Sequence, residues 1–177
     1  MDEELEDGIV FRLATLNDEF PPGSRQLTPA HFELSTKDKE DARGKGHEPR
    51  LSVYDAGRCT VDQARSLRAV SREYSAFGLE VPEIRSIRVA GLDPLRVVRD
   101  QLEPPLRDMP GADGHCGIIG LARKPGQQSM LYRELRVRLA DRSFPYPRHE
   151  ADLEPSTASE PAPPSSPESS GSRSASK

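Results

Sequence analysis

The chain has 177 residues, 34% hydrophobic and 31% charged, no tryptophan and a formal net charge of −4. That balance argues against a general nucleic-acid binder, which needs an excess of clustered cations. No apolar run approaches the length of a membrane span, and the length allows one domain with tails.

Residues 2–7 are almost all acidic and 1–8 read as a flexible lead, the opposite of a signal peptide's basic start and apolar stretch. Ile9-Val10-Phe11-Arg12-Leu13 alternates and predicts a half-buried strand. Pro21, Pro22, Gly23 and Pro29 make 17–29 a loop, and His31–Leu34 is a short strand or an anchored extended piece. The charged run 36–49 reads as an exposed loop, while Leu51-Ser52-Val53-Tyr54 alternates and ends at the turn signal Asp55-Ala56-Gly57.

Thr60-Val61-Asp62-Gln63 has capping-box spacing, in which threonine and glutamine satisfy each other's free backbone donors. A helix is expected to follow through Val61, Ala64, Leu67, Val70, Tyr74 and Phe77, ending at Gly78. Residues 82–90 are expected to form a strand, 92–95 a turn and the proline-rich 103–110 a surface loop. Gly117–Leu121 is apolar on both faces, as in an interior strand, and Leu131, Leu135 and Leu139 stack along a second helix from Ser129 to Ala140.

After Leu153 there is no Leu, Ile, Val, Phe, Tyr or Met, so 151–177 reads as a disordered Pro/Ser-rich tail. The organisation expected is one α+β domain over 9–150, with an antiparallel or mixed sheet and two helices.

Several short segments together resemble an uncharacterised family of small bacterial proteins. They are Arg25-Gln26 with Pro29, Phe32, Lys37-Asp38, Leu51-Ser52-Val53-Tyr54-Asp55 and a threonine-started helix. Asp93-Pro94, His115 ahead of an apolar strand, Leu139-Ala140-Asp141-Arg142 and Tyr146-Pro147 complete the pattern, which covers roughly 24–147. Two positions depart from it: Leu27-Thr28-Pro29 stands where a His-Pro is expected, and Cys116 where a small residue is expected after the histidine. The resemblance implies no activity.

His115 and Cys116 are the only adjacent pair suited to metal or nucleophile chemistry. Strand neighbours point to opposite faces, which separates them as a dyad. His115 alone suits acid–base work, with Arg25, Asp38, Asp55 and Asp93 as polar partners at loop or strand ends. Structural roles compete at each position: a histidine bonded to a carbonyl, an arginine pinning a loop, an Asx-turn at Asp55. His31, His47, His115 and Cys59 lack metal-ligand spacing, and no motif implies a cofactor.

Two distant cysteines do not make a disulfide framework, so a reducing cytoplasmic setting is expected. The expected function is a bacterial accessory module that binds a protein partner without catalysis of its own. The alternative is a small hydrolase or nuclease-like enzyme using His115 with Arg25 and an aspartate. Arg133, Arg136 and Arg138 on the second helix are a further candidate binding surface, with nucleic acid the less favoured ligand.

Overall fold

A computed structural model describes residues 3–17, 19–68 and 74–148. Seven antiparallel strands form one sheet in the order β1-β5-β6-β3-β2-β4-β7. The strands are β1 (Glu4–Leu5), β2 (Ile9–Thr15), β3 (Leu51–Asp55), β4 (Tyr74–Glu80), β5 (Arg96–Arg99), β6 (His115–Ile119) and β7 (Phe144–Pro145). Four α-helices accompany them among the described residues: α1 (Thr36–Lys45), α2 (Val61–Arg68), α3 (Val81–Ser86) and α4 (Ser129–Arg142). The expected α+β class therefore holds, with a purely antiparallel sheet. The expected disordered tail at 151–177 lies outside the described residues.

Both faces of the sheet are buried, which is why β2 does not follow the half-exposed pattern read from its alternation. Val10 and Ala14 join a core with Val53, Cys116 and Ile118 that α3, α4 and the 3-10 turn Pro29–Phe32 cover. Phe11 and Leu13 point the other way, into a second core with Tyr54, Cys59, Ala64 and Leu67 under α2 and the 102–112 segment. Buried neighbours on both sides suit a strand that is apolar at most positions, and β6 is buried at all five of its positions.

Several sequence expectations need correction. The helix expected to run from Val61 to Phe77 reaches only Arg68 within the described residues, and Tyr74–Glu80 is strand β4, paired with β2 over seven positions. Its Thr60–Gln63 cap is present, with Gln63 N–H donating to Thr60 Oγ1 at 3.2 Å and Thr60 N–H to Gln63 Oε1 at 2.9 Å. Gly78 does not end a helix: it pairs with Phe144, and a Cβ there would overlap the Phe144 ring.

The run 36–49 is not a loop, since most of it is α1. Only Ala42 of that helix is buried, so apolar periodicity could not reveal it. Its ends define it instead: Ser35 and Asp38 form a reciprocal capping box, and Gly46 closes the other end at φ 70°. Residues 82–90 begin as helix α3, with Pro82 in the first turn and Val81, Ile84 and Ile87 buried at three-residue spacing. His31–Leu34 is neither strand nor extended at its start, because Pro29–Phe32 is the 3-10 turn that seats Phe32 in the core. Glu4–Leu5 of the acidic lead pairs with Val97–Val98 as edge strand β1, where a flexible lead was expected.

Candidate functional site

His115 opens β6 and lies on the second face of the sheet, opposite Tyr54 of β3. Ser52, two residues before Tyr54, is on the same face, and its Oγ lies 2.7 Å from His115 Nε2. On the far side of the ring, Nδ1 lies 2.8 Å from the Asp100 carbonyl oxygen and 3.6 Å from Asp100 Oδ2. A carbonyl only accepts, so Nδ1 carries the hydrogen. The neutral ring then presents a lone pair at Nε2, and the Ser52 hydroxyl donates to it.

Asp100 is itself held, since Arg50 Nη1 donates to its Oδ1 at 2.8 Å. Gly117 makes this crossing possible. It pairs with Ser52, and an ideal Cβ on it would lie 2.6 Å from the Arg50 Cβ, so the arginine stem passes where a side chain would stand. A row of rings continues along the face: His115 meets Tyr54 edge-on at 5.5 Å, Tyr54 stacks on Phe11 at 5.6 Å, and Phe11 on Tyr146 at 5.1 Å.

The candidates named from sequence do not assemble around His115. Asp55 lies on the opposite face, where Arg99 Nη2 reaches its Oδ2 at 2.8 Å, and its Oδ1 accepts from Gly57 N–H at 2.9 Å as the expected Asx-turn. Asp38 caps α1, and Asp93 pairs with Lys124. Gln26 and Leu27, next to Arg25, bond to Asp141 and Ser143 at the end of α4, beside edge strand β7.

Cys116 faces away from His115 as strand geometry requires, against Val53 and Arg99. Burial pushes its thiol up to about 11, so it is a weak nucleophile at neutral pH. No group of three or more metal-ligating side chains occurs among the described residues.

Burial lowers the His115 pKa below 6.5, and its contact with the Asp100 carbonyl opposes the shift only in part. His31 is lowered too, by burial and by Arg12. A histidine depressed in the folded state binds its proton more readily when unfolded, so its stabilising contribution is present above about pH 6.5 and is lost as pH falls through the folded value. Denaturant unfolding at pH 7.5 and 5.0 should therefore show lower stability at the acid end. His115→Gln should remove the His115 share of that slope and leave the His31 share; an unchanged slope in the variant counts against a buried neutral His115.

A second feature lies between α1, α4 and the segment after β6. A cleft of about 630 Å³ is lined by Lys39, Arg43, Arg123 and Arg136, over a floor that includes Leu34 and Leu121. Arg136 is ion-paired with Glu33 at 2.7 Å. Lys39, Arg43 and Arg123 have no ion-pair partner among the described residues. Of the three arginines expected to form a basic helix surface, Arg136 is thus taken by Glu33, and Arg138 pairs with Glu134 at 2.5 Å while donating to the Arg88 carbonyl at 3.0 Å. Arg133 is exposed.

Sequence reasoning missed Ser52, Asp100, Arg50 and the α1 cations. The alternation of Leu51–Tyr54 places Ser52 beside Tyr54's face, but its pairing with β6 depends on a crossover that no local pattern records. The chain matches no family model, no curated protein and no solved structure, so function is argued from this geometry.

Proposed function

We propose that the protein is a partner-binding module that captures an acidic segment of another protein in the cleft between α1 and α4. The observation that carries this reading is the gathering of Lys39, Arg43 and Arg123 around one cleft without an ion-pair partner among the described residues, the Glu33 carboxylate there being paired with Arg136. The net charge of the whole chain is −4, so this positive patch is local and would steer an acidic partner to one place. Leu34, Leu121 and Tyr132 offer apolar contact beneath the charges, the mixture that small recognition sites use.

A cytoplasmic setting belongs to the same reading, supported by two buried cysteines that remain unbridged. No helix among the described residues is long and apolar enough to cross a membrane. No observation favours the alternative in which His115 works with Arg25 and Asp38 or Asp55.

A fluorescent hexaglutamate peptide, followed by anisotropy at low salt, tests the proposal. Binding should weaken as salt rises, and the double variant Arg43→Glu, Arg123→Glu should lose about tenfold or more in affinity, roughly 1.4 kcal/mol. Lys37→Glu, on the same helix but not lining the cleft, should bind like the parent. Equal loss in all variants, or no binding by the parent, removes the cleft as the acidic-segment site.

A further inference from the structure

We propose that Ser52 is an activated nucleophile, with His115 as its general base, able to take the acyl group of a small carboxylic ester. The geometry has the parts that such activation needs. Ser52 Oγ is 2.7 Å from His115 Nε2, within proton-transfer reach. The Asp100 carbonyl, 2.8 Å from Nδ1, fixes the tautomer in which Nε2 is free to accept a proton. The Asp100 carboxylate, 3.6 Å from Nδ1, stabilises the imidazolium once it forms. These are the roles of a serine, a histidine and an acid orienter, drawn from the neighbouring strands β3 and β6 and the residue just after β5.

Two further observations bear on how the serine is held and what space lies beside the histidine. The pairing between β2 and β3 covers only Val10–Asp55 and Phe11–Tyr54. Just past it, the Arg12 guanidinium fills the gap and donates Nη1 to the Ser52 carbonyl at 2.8 Å. Its Nε is buried with no hydrogen-bond partner among the described residues, and burial lowers its pKa to about 10, which leaves it charged at neutral pH. Arg12 shares the face of Val10 and Ala14, so it fixes the Ser52 backbone from the side opposite Oγ and holds the strand that carries the hydroxyl. His115 also borders a cleft of about 420 Å³ in which Arg58, Arg99 and Arg107 are balanced by Glu3, Asp100 and Asp113, room for a small ester group, with Ser52 one hydrogen bond behind the ring.

The step balances without a co-reactant other than water. Ser52 Oγ bonds to the ester carbonyl carbon as its proton passes to His115 Nε2. The C–O bond to the alcohol breaks, and His115 returns that proton to the departing oxygen. Water, deprotonated by the same Nε2, then releases the acid and restores Ser52.

The deciding experiment is labelling of the native protein by a fluorophosphonate probe, located by peptide mass spectrometry. General-base activation is worth about 10²–10⁴-fold, so Ser52 should label at least about a hundredfold faster than any other serine, and heat-denatured protein should lose that preference. His115→Gln should bring Ser52 to the background rate. Asp100→Asn, which keeps the backbone carbonyl, should slow labelling less and shift its pH profile, a readout that a packing role does not move. Native protein that labels no faster at Ser52 than elsewhere overturns the proposal, whether or not either variant folds. Full-rate labelling in a folded His115→Gln does the same.

Discussion

Replacing Phe11 by alanine should lower the free energy of unfolding by about 3–5 kcal/mol, the cost of emptying a large buried aromatic site. Phe11 is fully buried and stands between Tyr54 and Tyr146. Removing it takes away the middle of the ring row, and neither neighbour can close the space because both are held by other strands or turns. Against a stability of roughly 5–15 kcal/mol for a domain of this size, the change is large. The chain has no tryptophan, so urea unfolding followed by far-ultraviolet circular dichroism is the natural measurement. A loss below about 1 kcal/mol would mean that the second core is not a packed unit.

Gly117→Ala should be costly for a different reason. The added Cβ meets the Arg50 Cβ at 2.6 Å, close to the backbone of a strand neighbour and not at the loose end of a side chain. Overpacking of this kind costs about 1–3 kcal/mol. It should also lift Arg50 off Asp100 and loosen the anchor of His115. Gly44→Ala provides the opposite sign. Gly44 lies inside α1 with open space around it, so alanine there should stabilise by about 0.5–1 kcal/mol through helix propensity alone. Unfolding midpoints for the two variants that shift the same way would contradict this account of Gly117.

The two substitutions also mark what local pattern can and cannot reveal. Ile9–Leu13, Leu51–Tyr54, Gly117–Leu121 and the Leu131–Leu135–Leu139 seam were legible because apolar side chains recur at strand or helix spacing. The Thr60–Gln63 cap was legible because its two residues bond each other. Tyr74–Glu80 was misread because Tyr74 and Phe77 also continue the helical spacing from Val61. Its strand character comes from seven pairings with β2, a long-range interaction that overrides the local one. α1 was missed for the converse reason: it buries one alanine and is defined by its caps.

The residues of the candidate site divide the same way. His115 stood out by type and position, and its separation from Cys116 followed from strand alternation alone. Its partners did not. Ser52, Asp100 and Arg50 are 63, 15 and 65 positions away in the chain, and only the antiparallel order β5-β6-β3 brings them to one ring. Arg25 and Asp55 were equally plausible by residue type, yet Asp55 falls on the other face and the neighbours of Arg25 are tied to the end of α4.

The amino-acid sequence by itself determined the α+β class, the strands with clear alternation and the long final helix, all of which rest on interactions a few residues apart. Tertiary structure alone decided which strands neighbour each other and which face each side chain meets. It therefore decided which hydroxyl His115 touches and which cations share a cleft. Those outcomes depend on pairing between segments dozens of residues apart, where local propensity carries no information and burial on both faces of the sheet selects the arrangement.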